Sequence, residues 1–452
     1  MKVLRAPFRP RGGVHPAYAK EATAGRPIVT MPPPATLMVS LAQHLGAPSK
    51  PLVKKGDAVL RGQAIAEPVG YVSTWVHAPV SGTIKSVEQR VTISGQSATV
   101  VEIAADGQDR AAEAAVPTDW THVEPRVLVD QVLRAGIVGM GGAGFPTHVK
   151  LLPPAGKTID TLILNGAECE PYLTADHRLM VEQAARVWEG ALVLRHILAA
   201  PRLCVAVEDN KPDAIAALEQ VMRGAEGDVA LVVLKSWYPQ GAERQLIYAV
   251  TGREVPSGGL PMDVGVLVEN VGTAAAVADA VVRGQPLIER VVTVAGAAVR
   301  EPRNVLARVG TPLRDVLAFC GGLTPEVGKV LCGGPMMGVA QASDDAGLAK
   351  TTSGVLALSR DQVVSFSSQP CISCGRCVRA CPAGLLPCTL SEHLEAEQYD
   401  RAEQLHVLDC IECGACAYVC PARRPLVQHM RQGKARVLAR RREARAKQEA
   451  RA

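Results

Sequence analysis

The chain has 452 residues, 48% hydrophobic and 21% charged, with a formal net charge of +5. That balance excludes a disordered or fibrous polymer, and the length predicts about three packed domains rather than one small stapled module. Phe, Trp and Tyr number 4, 4 and 7, too few for the base-stacking platforms of single-stranded nucleic-acid binders, so no nucleic-acid partner is expected. No apolar run reaches the ~18–20 residues that cross a bilayer, and the start MKVLRAPFRPRGG lacks an apolar signal core, so the chain is expected to stay in a reducing compartment.

In chain order, Lys54–Glu67 (KKGDAVLRGQAIAE) and His77–Ile84 (HAPVSGTI) resemble the barrel-sandwich hybrid of biotinyl and lipoyl domains. Those domains present a carrier lysine at a hairpin tip, but Glu67–Tyr71 (EPVGY) has none, so a scaffold without cofactor is expected here. Gly139–Gly144 then reads GMGGAG, followed by Phe145, Pro146 and, at Lys150, a cation. The dinucleotide fingerprint needs a strand before this loop and a helix after it. Val127–Arg134 instead has helical periodicity, and Pro146 interrupts the helix expected after the loop, which disfavours a standard Rossmann start. Consecutive glycines still let backbone N–H groups approach a phosphate, and Lys150 can add a point charge.

Apolar strands are predicted at Thr161–Leu164, Val229–Leu234 and Val264–Val268. Each runs into polar residues: Asn165-Gly166 with Glu168 and Glu170, then Tyr238–Leu246 (YPQGAERQL), then Glu269–Thr273 (ENVGT). Any one of these would more often be a cap or turn residue than a ligand, but their repetition beyond strand carboxyl ends, where open α/β sheets bind ligands, points to a crevice. Val291–Gly322 predicts a small β-rich module with Thr311 as a helix N-cap, Pro312 at the first helical position and Gly321 beyond the helix end; it resembles a β-grasp ligand-binding domain.

Thirteen cysteines fall into five dispersed ones (Cys169, Cys204, Cys320, Cys332, Cys388), expected as packed thiols, and two copies of C-x2-C-x2-C-x3-C-P. The copies are Cys371, Cys374, Cys377, Cys381 and Cys410, Cys413, Cys416, Cys420. Zinc would need only two C-x2-C pairs per ion, and two full runs exceed that requirement. A cubane [4Fe–4S] cluster needs four converging thiolates, and in two-cluster ferredoxins the last cysteine of each run ligates the other cluster. One expected site is therefore Cys371, Cys374, Cys377 and Cys420, and the other is Cys410, Cys413, Cys416 and Cys381. Between the runs, Leu390, Leu394, Tyr399, Ala402 and Leu405 recur at helical spacing, predicting an amphipathic helix pair over the clusters. Residues 431–452 hold nine Lys/Arg (Arg431, Lys434, Arg436, Arg440, Arg441, Arg442, Arg445, Lys447, Arg451) against Glu443 and Glu449. The tail reads either as a solvated helix end or as a surface for anionic lipid or an acidic partner.

Taken together, GGVHP (Gly12–Pro16) with Lys20, GGAGFPTHVK (Gly141–Lys150), NGAECEPY (Asn165–Tyr172), TGREVPSGGLP (Thr251–Pro261), GGPMMG (Gly333–Gly338) and both cysteine runs resemble the flavoprotein subunit of respiratory complex I. They resemble the RnfC (RsxC) component of the Rnf (Rsx) electron-transport complex more closely. The resemblance implies a multidomain α/β and α+β chain: an N-terminal barrel-sandwich hybrid (1–110), a Rossmann-like α/β FMN/NAD domain (120–283), a β-grasp-like, SLBB-type module (284–335), an α-helical double [4Fe–4S] ferredoxin-like domain (360–430) and the basic tail (431–452). It implies FMN contacts from Gly139, Gly141, Gly142, Gly144, Lys150, Asn165, Glu168, Tyr238, Gly241, Asn270 and Thr273, with Phe145, Glu170 and Glu243 facing NAD(H). Glu170 and Glu243 are the expected catalytic pair. Departures from the complex I pattern are Ala167 in place of an Asp, Ala242 in place of the first of two Glu, and no further phenyl rings after Phe145 to hold adenine.

The implied role is that of an NAD-linked, FMN-containing subunit through which electrons enter. FMN would split the electron pair of NADH into single electrons for two clusters, which pass them to other Rnf subunits and indirectly to ferredoxin, with the chain peripheral on the cytoplasmic face of the bacterial inner membrane. A soluble NADH diaphorase module of a hydrogenase or dehydrogenase, and a nonenzymatic iron–sulfur scaffold, are the alternatives.

Overall fold

The computed structural model describes residues 1–113, 119–367 and 369–449; Arg451 of the basic tail lies outside them. At its centre is a parallel sheet of five strands in the order Lys2–Arg5, Asp228–Leu234, Arg202–Glu208, Thr161–Gly166, Val266–Asn270. Residues of these strands alternate between two apolar layers. Leu162, Leu164, Leu203, Val205, Val229 and Leu231 face one helical layer, and Ile163, Cys204, Ala206, Ala230, Val232, Val266 and Val268 face the helix Glu243–Thr251. Burial on both faces is what a parallel sheet requires and explains the near-continuous apolar runs.

Among the four strands after residue 160, the spatial order is third, second, first, fourth, so the winding reverses between Thr161–Gly166 and Val266–Asn270. Asn165 and Asn270 stand opposite each other at that reversal, the place where open α/β sheets form a ligand crevice. Behind it the helices Ala184–Leu198 and Val271–Val282 pack at unusually short range: a Cβ on Gly190 would lie 1.8 Å from the Ala274 carbonyl oxygen. The segment before the glycine loop is the helix Pro125–Arg134, in line with its periodicity.

Residues 36–105 form two small sheets, one of Thr36–Ser40, Ser97–Ala105, Gly82–Val91 and Ala58–Val59, the other of Lys50–Pro51, Ala64–Glu67 and Val76–His77. Leu37, Val39, Ile65, Val76, Ile84, Val101 and Ile103 fill the space between them. A third sheet runs Val339–Ala340, Val327–Cys332, Gly354–Ser359, Glu289–Ala295, Arg303–Arg308, Ile28–Thr30. It therefore extends past the expected end at 335, because Gly354–Ser359 pairs with Glu289–Ala295 in parallel. Its helix is Leu313–Phe319, and Pro312 rather than Thr311 is the N-cap. The correction has a simple cause: Pro312 keeps an extended ψ of 145°, so the first helical turn begins one residue later.

The carboxyl-terminal module is helical. Helices Pro387–Glu395 and Tyr399–Gln404 pack Leu390, Leu394 and Ala402 against Met430 and Val437 of the long helix Leu426–Glu449. The basic tail is thus no free appendage over its first turns: Arg431 and Lys434 both reach Glu412, Arg440 pairs with Asp400 at 3.0 Å and Arg441 with Glu403 at 2.5 Å. The amino-terminal residues stitch the modules together. Lys2–Arg5 edges the central sheet, the Gly13 N–H donates to the Ala380 carbonyl at 2.9 Å, and Ile28–Thr30 edges the third sheet. Lys350 is a second tie, its buried ammonium donating to the carbonyls of Trp75 (3.0 Å) and Gly136 (2.7 Å). Among the described residues no helix is long and apolar enough to cross a membrane.

Candidate functional site

The crevice is assembled by strand ends whose side chains are fixed by their own backbones. Asn270 caps the helix Val271–Val282, its Oδ1 accepting from the N–H groups of Gly272 (2.8 Å) and Thr273 (3.4 Å). Its Nδ2 donates to Asp176 at 2.6 Å. Asn165 bridges the opposite wall, donating to the Gly241 carbonyl at 2.8 Å and accepting from the Ala167 N–H at 3.1 Å. The glycine loop is pinned over this floor by the Met140 N–H, which donates to the Thr273 hydroxyl at 2.9 Å, and by the Gly139 N–H to the Phe145 carbonyl, also 2.9 Å. At Gly141 the fit is close: a Cβ would stand 3.0 Å from the Asn270 Cβ, so a side chain there would press on Asn270 and hold the loop off the strand ends. Gly142 has open space where a side chain would go, whereas Gly144 packs against Thr351 and Gln43 and accepts from the Leu45 N–H at 3.1 Å, facing the barrel.

Lys150 sits at the rim, donating to the Val268 carbonyl at 2.6 Å with Glu243 at 3.3 Å and the buried Glu269 at 3.6 Å. Burial disfavours its charged form, but Glu269 and Glu243 outweigh that and hold the ammonium above its ordinary range. Burial in turn pushes the Glu269 carboxyl up. Glu243 is the more exposed partner, with 42% of its side-chain surface open.

Three predicted contacts lie away from this floor. The Glu168 carboxylate accepts from the N–H groups of Asp176 (2.8 Å) and His177 (3.0 Å), securing the start of the helix Ala175–Glu182. Glu170 turns to the Gly333–Gly338 loop, accepting from Met336 (3.2 Å) and Met337 (2.8 Å); burial raises it to about 7 despite those two donors. Tyr238 is fully buried and its hydroxyl donates to the Cys413 carbonyl at 2.6 Å. Sequence reasoning gave no role to Lys211, whose ammonium pairs with Glu208 at 2.9 Å and holds the Ala167 carbonyl at 2.6 Å. It also left Lys20 without one; Lys20 donates to the carbonyls of Glu168 (2.6 Å) and Leu173 (2.5 Å). Both brace the Asn165–Leu173 loop from beneath, and neither has a local signal, Lys211 standing in the polar stretch Glu208–Asp213.

The eight patterned cysteines divide between two cavities. One is lined by Cys381, Cys410, Cys413 and Cys416; the other by Cys371, Cys374, Cys377 and Cys420. Each run sends its fourth cysteine to the other run's cavity. Among the described residues no three Cys, His, Asp or Glu side chains close on a single ion; the thiols of each set stand around one shared cavity instead. Burial raises Cys413 to about 12 and Cys416 further, so ligation there must expel protons. Cys388, expected as a packed thiol, lines the second cavity together with Cys377.

Residues 8–108 match the RnfC barrel sandwich hybrid domain, 132–279 the Nuo51 FMN-binding domain, 291–340 the SLBB domain and 363–421 a 4Fe-4S dicluster domain. The chain is 47% identical over 424 residues to the C component of the proton-translocating ferredoxin:NAD(+) oxidoreductase complex of Clostridium ljungdahlii, covering 93% of this chain and 92% of that one. It is 45% identical over 443 residues to the C component of the Na(+)-translocating ferredoxin:NAD(+) oxidoreductase complex of Acetobacterium woodii (98% and 99% covered). The corresponding component of the ion-translocating oxidoreductase complex of Rhodobacter capsulatus is 42% identical over 432 residues (95% and 83%). The chain belongs to the RnfC family.

As an RnfC subunit of the Rnf ion-translocating ferredoxin:NAD oxidoreductase, it carries an FMN-binding domain and a 4Fe–4S dicluster domain. The residues present fit both groups. Around the crevice Thr147 and Gln240 keep buried polar atoms without a hydrogen-bond partner, groups that a hydrogen-bonding ligand would satisfy. Each cavity presents four patterned thiols, three from one run and the fourth from the other.

Proposed function

We propose that this RnfC protein passes electrons between NAD(H), FMN and two [4Fe–4S] clusters, and on to partner subunits of the complex. The observation that carries the reading is the four-residue stretch Tyr238–Gly241. Its first residue holds the Cys413 loop through the tyrosine hydroxyl, and its last holds Asn165 through the glycine carbonyl. One rigid stretch thereby couples the crevice to the wall of the nearer thiol cavity, which favours a fixed distance between the centres on either side.

FMN, when bound, supplies the chemistry that exchanges a hydride on one side and single electrons on the other. The chain's own residues would hold it at the strand ends: backbone of Gly139, Gly141 and Gly142 toward the phosphate, with Asn165, Gly241, Asn270 and Thr273 forming the floor and Lys150 the charged rim. Glu243, exposed beside Lys150, is the carboxylate available to the nicotinamide nucleotide, next to Phe145. Glu170 contributes by anchoring the Gly333–Gly338 loop between crevice and clusters. Cys371, Cys374, Cys377 and Cys420 would ligate one cluster, and Cys410, Cys413, Cys416 and Cys381 the other.

Peripheral attachment at the cytoplasmic face of the inner membrane, through other subunits of the complex, completes the reading; Arg436, Arg442 and Lys447 of the terminal helix stay exposed for an acidic partner or anionic lipid. The deciding experiment measures iron, sulfide and FMN per full-length chain after anaerobic reconstitution, then records cluster absorbance and EPR after NADH addition. Eight irons, one flavin and NADH-dependent bleaching are expected. Four irons, bound zinc, or no flavin would overturn it.

A further inference from the structure

The two cavities are built by one stretch of sequence used twice, and their walls differ at equivalent positions. Eleven residues after the third cysteine of each run stand Cys388 and Val427, and each lines its own run's cavity. Four residues after the fourth cysteine stand Leu385 and Arg424, and each lines the cavity to which that cysteine crosses. The Cys410/Cys413/Cys416/Cys381 cavity is therefore walled by Leu385 and Val427. The Cys371/Cys374/Cys377/Cys420 cavity has Arg424 and Cys388 instead.

Arg424 is only 4% exposed. One terminal nitrogen donates to the Gln369 carbonyl at 2.8 Å, and the other to the Ser391 hydroxyl at 3.0 Å and to Glu395. Its Nε–H is buried without a protein partner. A buried donor left over beside a cavity is destabilising unless something in the cavity accepts from it. Cys388 adds to this wall, its thiol lining the same cavity as Cys377.

Resting on the two-cluster reading above, we propose that Arg424 Nε–H and the Cys388 thiol are hydrogen-bond donors to the sulfurs of the Cys371/Cys374/Cys377/Cys420 cluster. They make it the more easily reduced of the pair. Adding one electron to a cluster increases the negative charge spread over its sulfurs, so donors aimed at those sulfurs stabilise the reduced form more than the oxidised one. The side chains of Leu385 and Val427 offer the sister cluster no such donors; there the Leu385 backbone N–H donates to the Cys381 sulfur at 3.4 Å, and backbone N–H groups of Ser373 and Glu412 serve Cys371 and Cys410 alike, also at 3.4 Å. Because Glu395 largely balances the guanidinium charge, the asymmetry lies in directed N–H and S–H groups rather than in a net charge.

The test is an EPR-monitored redox titration of the full chain, after iron analysis has established eight irons. Two one-electron steps are expected, separated by at least tenfold in equilibrium constant, about 59 mV. Cys388→Val should lower only the higher step, Arg424→Lys should do the same while keeping a cation beside Glu395, and Val427→Cys should raise only the lower step. Iron content must stay at eight in each variant scored, and the Cys388→Val and Val427→Cys pair, which leaves the Glu395 network alone, carries the decision if Arg424→Lys loses iron. A single unresolved step, or steps that none of these changes moves, would overturn the proposal while leaving the two-cluster reading in place. Fewer than eight irons in the unmodified chain would overturn both.

Discussion

Glu170 shows how a residue's surroundings change its meaning. The carboxyl ionises near 4.5 when unfolded and, through burial, near 7 in the folded chain. Between those values the folded state retains a proton that the unfolded state has released, so this group makes stability fall as pH rises from about 4.5 to about 7, with no further loss above. Replacing Glu170 by Gln should flatten that segment of the stability profile, raising the urea midpoint at pH 8 relative to pH 5 when compared with the parent; an unchanged profile would show that the carboxyl is not held neutral. At this scale the sequence was legible in residue type more than in role. Asn270 and Glu168 stood out as polar groups after strands, and both accept from N–H groups at the starts of helices beyond them, Asn270 directly at its strand end and Glu168 across the loop to Ala175–Glu182. Tyr238 was legible as a site residue, but its hydroxyl reaches a carbonyl 175 positions away, a contact with no local trace.

At the scale of elements, the near-contact of Gly190 and Ala274 sets how closely two helices approach behind the crevice. Gly190→Ala would force them apart or shift one along the other, a strain of about 1–3 kcal/mol. Because the second helix starts at Asn270, the crevice floor should move with it. A lowered urea midpoint together with reduced flavin retention after gel filtration is expected, and parental values for both would refute the packing argument. The strands that line this core were readable as apolar runs, since both faces are buried. Lys2–Arg5, Ile28–Thr30 and Gly354–Ser359 were not: the first is exposed throughout, the second is three residues long, and the third earns its place by pairing with a strand some sixty residues earlier.

For the whole molecule, the crossing of Cys381 and Cys420 ties the two halves of the cluster module to each other. Cys381→Ser should deplete the centre of the later run and spare that of the earlier one, and Cys420→Ser should do the reverse, each halving iron per chain and leaving one EPR signal. Two intact centres in either variant would contradict the crossing. The doubled spacing made this arrangement legible only together with the crossed ligation known for two-cluster ferredoxins. The docking of the cluster module on the rest of the chain was not legible, since it depends on backbone contacts such as Gly13 with Ala380 that any residue type can make.

That last contact bears on how the protein is made. A ribosome adding ~5–20 residues per second needs roughly twenty seconds to a minute to travel from position 13 to position 380. Throughout that interval the amino end has no carboxyl-terminal surface on which to settle. The seam can close only as translation finishes, so metal loading of the last module and the final docking of the first residues become steps in one late event.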